Sequence, residues 1–113
     1  MDGIQADKWV RIMCDYSADG VWRKDGAGTS AEELPISSAL LARLRAWQET
    51  YERLDPVFPE GRDLTAEIAA FSEDGRQIAR AVKWELPDWT IVYFDEERSG
   101  SHIPREVFEY EIK

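Results

Sequence analysis

The chain reads as an α+β fold, α/β-like in its connections, on three observations. An alanine-rich amphipathic stretch beginning near Ser72 stops at Leu86-Pro87-Asp88 and feeds the apolar run Trp89 to Phe94. An early segment, Trp9 to Tyr16, alternates with period two, and so does the stretch 106–112. The expected architecture is one small mixed sheet of about four strands, a hairpin of 9–16 and 21–24 joined by strands 89–95 and 106–112. Two main helices accompany it, 38–54 and 64–86, the second open to a break near 72–75. At 113 residues, with 43% hydrophobic and 12% aromatic content, the chain fits a single domain with its own core. Residues 1–8 read as a loose leader.

In the first strand, Val10, Ile12, Cys14 and Tyr16 share one face, and Trp9, Arg11, Met13 and Asp15 the other. Ser17-Ala18-Asp19-Gly20 has turn chemistry, so Val21-Trp22-Arg23 returns as a hairpin partner. Lys24 to Ser30 reads as loop, and Ala31 to Pro35 adds a turn of helix. Ser37 or Ser38 is placed to cap the first long helix, whose stripe is Leu40, Leu44, Trp47, Tyr51 and Leu54. Asp55-Pro56 ends it, since proline disfavours helical geometry in the residue before it.

Leu64, Ile68, Phe71, Gly75, Ile78 and Val82 then keep helical spacing, with Gly75 on the buried stripe. Ser72 followed by Glu73 and Asp74 is also a helix start, so a short piece near 64–70 and a main helix from 73 to 86 is the favoured reading. Glycine inside a helix costs about 1 kcal/mol relative to alanine, which implies close packing or a helix end there. Trp89 to Phe94 is apolar on both faces, as in a central strand. In the last strand Phe108, Tyr110 and Ile112 face inward, while Glu109 and Glu111 face outward and guard an edge. Joining the first strand to the third through helices favours a right-handed crossover and parallel pairing, with the last strand antiparallel to the third.

Net charge is −9, and residues 85–113 alone carry −5. That sign disfavours nucleic acid and anionic membrane surfaces and favours a basic protein partner, although solubility alone accounts for an acidic surface equally well. One cysteine, no signal-like start and no long apolar run point to a soluble protein of the cytoplasm, with no cofactor motif.

If the first and third strands are parallel, ligand crevices lie beyond their carboxyl ends. Asp15 would then approach Asp95 and Glu96, with His102 in the following loop. These four are the candidates for acid–base chemistry, and Asp15, Asp19, Asp95 and Glu97 for a hard cation. The plain alternative is that polar residues simply mark strand ends. Asp15 to Gly20 resembles the opening of an EF-hand loop, but the twelfth position is Gly26 and the flanks are strands. Cys14 and His102 form a conceivable thiol–imidazole pair, yet Cys14 shares its face with Val10 and Ile12 and reads as a buried hydrophobe. No P-loop, nucleophile elbow or HExxH is present. Trp22 and Trp84 are the hardest aromatics to bury: core packing is the first expectation for Trp84, an exposed interface anchor the second.

The blocks Ile12-Met13-Cys14-Asp15-Tyr16, Leu34-Pro35-Ile36-Ser37 with Leu44-Arg45-Ala46-Trp47, and Phe71 to Glu96 resemble those of small uncharacterised bacterial proteins of unknown function. The resemblance implies a bacterial cytosolic domain and transfers no active site. The sequence therefore leads to a non-enzymatic interaction module that binds a basic partner or a second copy of itself, with Trp84, Glu109 and Glu111 as contact residues. Immunity against a basic toxin is one version of that reading, which nothing in the sequence singles out. The competing reading is a small enzyme or metal-binding protein acting through the strand-end carboxylates.

Overall fold

The structure is a computed structural model that describes residues 4–15, 18–53, 65–98 and 102–113. It is an α+β fold. Its sheet has five strands in the order β3-β2-β1-β4-β5: β1 is Trp9–Ile12, β2 Val21–Trp22, β3 Gly28–Thr29, β4 Thr90–Phe94 and β5 Glu109–Ile112. The long helices are α2, Ser38–Arg53, and α3, Thr65–Glu85, and two single turns, α1 (Ile4–Asp7) and α4 (Arg105–Phe108), complete the set. Thus part of the expected leader is helical, and Ile4 within it is fully buried.

β1 pairs parallel with β4, placing Val10 beside Ile91 and Ile12 beside Tyr93, while β5 runs antiparallel to β4. Both pairings follow the crossover expectation. Alternation does the rest: Val10, Ile12, Val21, Ile91, Tyr93 and Ile112 are buried, while Arg11, Trp22, Val92 and Phe94 are half-buried on the opposite face. Helices α2 and α3 supply the other half of the core through Leu40, Leu44, Trp47, Phe71, Ile78 and Val82.

Several boundaries differ from the sequence reading, each for a physical reason. β1 stops at Ile12: the Met13 amide still reaches the Gly20 carbonyl at 3.0 Å in the β1–β2 register, but beyond it the Asp15 carbonyl accepts from the Gln48 side chain and the Ala18 amide instead of a neighbouring strand. The additional strand, β3, lies inside the expected loop, where Gly26 at φ +94° turns the chain so that Gly28 and Thr29 pair with Trp22 and Val21. The last strand begins at Glu109 and not at 106, because Arg105–Phe108 closes a helical turn behind Pro104, braced by Arg105 donating to Glu109 four residues on. Leu54 and Leu64, at the inner ends of the two expected helices, lie outside the described residues.

The break expected near 72–75 is absent, and α3 runs through. Ser72 does not cap. It is buried, and its hydroxyl accepts the Glu97 amide at 2.9 Å. Glu73 pairs with Arg76 and Gln77 of its own helix, and Asp74 stands 3.9 Å from Arg43 of α2. Side chains thus answer the charges that a helix N-terminus would otherwise have answered.

Of the described glycines, Gly75 is the most closely approached. The Trp47 indole N–H donates to the carbonyl of Phe71 at 3.0 Å, and the Tyr93 hydroxyl donates to that of Ser72 at 2.7 Å. A helical carbonyl has two lone pairs, so each accepts a side-chain donor alongside its helical one. These two bonds draw Trp47 and Tyr93 against the one residue of α3 without a side chain. At the other end of the helix pair, Ser37 caps α2 by accepting the Leu40 amide at 3.2 Å, and Glu85 at the end of α3 accepts both the Ser37 amide and hydroxyl.

A β-carbon at Gly75 would fall 2.5 Å from the Tyr93 hydroxyl and closer still to the Trp47 ring. Gly75→Ala should therefore destabilise the protein by about 2 kcal/mol, overpacking outweighing the helix-propensity gain of about 1 kcal/mol. Urea denaturation checks this, and a variant more stable than the parent would contradict it.

Candidate functional site

Beyond the carboxyl ends of β1 and β4 the chain presents Cys14, Asp15 and the turn Asp95 to Arg98. That turn is held from three sides. The Asp95 amide donates to the Phe108 carbonyl at 2.6 Å, the Glu97 amide is shared by the Ser72 hydroxyl and the Asp95 carboxylate, and the Arg98 amide returns to the Asp95 carbonyl at 3.2 Å. Asp95 itself is buried, with the Arg98 guanidinium 3.6 Å from its second oxygen. A shallow polar cleft of about 270 Å³ opens beside it, lined by Ser72, Glu73, Arg76, Asp95, Glu97 and Arg98 among others. On the β1 side, Gln48 of α2 donates to the Asp15 carbonyl at 2.7 Å and fixes that loop against the helix.

The electrostatics show which carboxylates share this edge. Burial first, and then the charges of Asp15 and Asp95, push the Glu96 carboxyl up to about 7. The Cys14 thiol is also pushed up, by its burial and then by Glu96, Glu52 and Asp15. Burial followed by Asp95 raises the Tyr93 phenol as well. Asp15, Glu52, Asp95 and Glu96 therefore act on common neighbours, and the edge concentrates negative charge in a partly desolvated place.

The sequence candidates separate on this geometry. Asp15, Asp95 and Glu96 come together as the parallel pairing requires, and Glu97, exposed, continues the same turn. Asp19 is engaged elsewhere: its carboxylate accepts the Ala31 amide at 3.0 Å and stands 3.8 Å from Arg45. Tyr16 and Ser17 of the EF-hand-like stretch lie outside the described residues. Among the described residues, no three of His, Cys, Asp and Glu are grouped so as to hold a metal ion. His102 is exposed ahead of α4, while Cys14 is 2% exposed and kept protonated by its burial and its acidic neighbours. Glu109 accepts from Arg105 and from Arg11, and the Arg105 bonds hold its carboxyl below the usual carboxylate range. Glu111 lies 3.5 Å from Lys113.

Trp84 is 84% exposed, which overturns the core-packing expectation for it. Trp22 is half-buried and donates its indole N–H to the Met13 carbonyl at 2.8 Å. Sequence reasoning missed Ser72 and Glu52. Glu52 follows Gln48 by four residues on α2, one helical turn beyond the residue that holds the Asp15 loop, and neither belongs to the apolar stripe that the sequence reading followed. Ser72 had been assigned to a cap.

Among the described residues, the α+β fold thus gathers carboxylates at the ends of its two parallel strands. The comparison with known families points to a protein-interaction role, the binding of a toxin partner. The model of the family described as Serratia CdiI immunity protein-like matches residues 8–96, and the chain belongs to that family. The match takes in β1, both long helices, β4 and the edge as far as Glu96. No curated protein matches the chain. No helix among the described residues is long and apolar enough to cross a membrane.

The raised Glu96 carboxyl has a consequence for stability. Its folded-state value lies above the ordinary carboxylate range, so between about pH 4.5 and 7 the folded state holds more protons than the unfolded one, and stability falls as pH rises through that window. Glu96→Gln should raise stability at pH 8 by on the order of 1 kcal/mol, after allowing for solvent screening of a half-buried group. The gain should vanish near pH 4.5. Thermal melts of both proteins across this range check the expectation, and a gain of the same size at both ends would refute it.

Proposed function

We propose that this protein is an immunity protein that neutralises a toxin by binding it, and that its acidic strand-end edge is the contact surface for a basic face of that toxin. The observation that carries this reading is the effect of Asp15 and Asp95 on Glu96, together with membership of an immunity-protein-like family. Like charges held together cost stability in the free protein, and a basic surface laid over them relieves that cost. A net charge of −9 adds long-range attraction, which speeds encounter with a cationic partner more than it deepens final affinity. Exposed Asp15 and Glu97 make first contact in this reading, while half-buried Glu96, its carboxyl pushed up to about 7 by burial and then by Asp15 and Asp95, gives up its proton when a basic surface lies against it. Glu109 and Glu111, their charges partly answered by Arg105, Arg11 and Lys113, form a flank of the same acidic surface. The action is binding and occlusion in the cytoplasm, with no reaction and no cofactor.

Affinity capture from native cytosol at low and at high salt, with identification of the captured protein, tests the reading. The captured protein should arrest growth when expressed alone, and co-expression of this chain should restore it. A captured protein that is harmless alone, or toxicity that this chain does not relieve, would sink the proposal. In the same assay the double substitution Asp15→Lys with Glu97→Lys should lower the association rate roughly tenfold or more and flatten its salt dependence. Asp88→Lys, at the opposite end of β4, should leave the rate within about twofold.

A further inference from the structure

The end of the sheet opposite the acidic edge carries a second surface of contrary character. α3 begins its contact with the acidic turn at Ser72 and finishes thirteen residues later, where Lys83 donates to the carbonyls of Pro87 and Trp89 ahead of β4. There Trp84 stands 84% exposed, about twice the exposure of Ile103 or Val107, the other large hydrophobic side chains that are exposed among the described residues. Beside it lies an open hollow of about 330 Å³ between the last turns of α3 and the end of β5, lined by Arg80, Lys83, Trp84, Ile112 and Lys113. Every ionisable residue of that lining is basic, in a chain with 23 acidic and 14 basic residues. Lys83 is anchored by its two carbonyl bonds, so part of this positive charge is fixed in place. The pairing of Lys113 with Glu111 is exposed and screened by water, so it neutralises little. β5 is the outermost strand of the sheet on this side.

From these observations we infer a second docking surface on this protein, built from Trp84, Arg80, Lys83, Lys113 and Ile112, whose occupant is an acidic segment of a partner protein carrying apolar side chains. Charge complementarity selects the occupant. A second copy meeting this face about a two-fold axis would set Arg80, Lys83 and Lys113 against their own equivalents, and like charges opposed across an interface are disfavoured. An acidic segment instead places its carboxylates among the three cations and an apolar side chain on the Trp84 indole, a residue type that dominates binding energy where it is buried by a partner. β5, outermost in the described sheet, suits an extended segment, which gains affinity from main-chain bonds and selectivity from alternate side chains. This surface and the acidic edge bear opposite charges at opposite ends of the sheet, so it does not depend on the toxin reading.

The test uses the whole protein and two synthetic peptides, acetyl-Asp-Leu-Glu-Val-Asp-Leu-Glu-amide and its counterpart with lysine at every acidic position. Binding is followed by titration calorimetry and by the indole N–H resonance of Trp84, identified from Trp84→Phe. The acidic peptide should shift that resonance and bind less tightly as salt is raised, and the lysine peptide should leave the resonance in place. Trp84→Ala and Arg80→Glu alter exposed side chains, so both should keep the parent's circular dichroism while weakening acidic-peptide binding roughly tenfold each. The inference is overturned by an unmoved Trp84 resonance, by equal binding of both peptides at this face, or by variants that bind as the parent does. Sedimentation of the parent as a dimer that Trp84→Ala dissolves would also overturn it, because a second copy would then be the occupant.

Discussion

The fold turns on one close approach. Trp47 of α2 and Tyr93 of β4 meet α3 at Gly75, each held there by a hydrogen bond to a carbonyl of the preceding turn. Buried donors must find acceptors, and here both find them on the backbone of one helix. Ring packing adds to the junction, with Trp47 stacked 5.0 Å from Phe71 and Tyr93 edge-on to Tyr110 at 6.0 Å. Helix, helix and sheet are thereby fixed at a single point. Ser72, one turn before Gly75, then reaches past the sheet to hold the Glu97 amide. The contact that seats the helix also seats the acidic turn.

This coupling explains why an unfavourable group of charges persists. Left to itself, a turn carrying Asp95, Glu96 and Glu97 would swing its carboxylates into water and away from Asp15. The Ser72 hydroxyl and the Phe108 carbonyl restrain its backbone, and the partly buried Glu96 retains the proton of a much weaker acid as a result. Charge repulsion is thus held in place by the backbone bonds of the turn, and in the function proposed above a cationic surface would relieve it. A flexible acidic tail would bind a basic partner too, but it would first have to be ordered, and that ordering opposes affinity. An immunity-protein-like family is a setting in which a preformed surface of this kind has an evident use.

Much of this was legible in the sequence, and the limits have physical causes. Local patterns gave the strands around Val10 and Ile91 and the stripe of α2, because period-two and helical spacing are recorded in neighbouring residues. Parallel pairing of β1 and β4 followed from connection rules, and with it the meeting of Asp15, Asp95 and Glu96. What escaped was decided by distant partners. Ser72-Glu73-Asp74 has the chemistry of a helix start, and only the burial of Ser72 beneath the Glu97 amide shows why the helix continues. β3 consists of Gly28 and Thr29 alone and exists because Val21 and Trp22 lie beside it. The turn at Arg105–Phe108 did carry a signal, Arg105 four residues before Glu109, which the alternation of Phe108, Tyr110 and Ile112 concealed. Trp84 was undecidable from spacing, since a flank position is buried or exposed according to what packs beside it.

The central claim is that the Ser72 anchor creates the strained acidic edge. Its most direct test is a carbon-13 carboxyl titration of Glu96 in the parent and in Ser72→Ala. The parent should titrate near the value of about 7 that burial, Asp15 and Asp95 impose. In the variant the Glu97 amide loses one of its two acceptors, the turn relaxes toward solvent, and the midpoint should drop toward the ordinary carboxylate range. An ordinary midpoint in the parent, or the same raised midpoint in both proteins, would contradict the account.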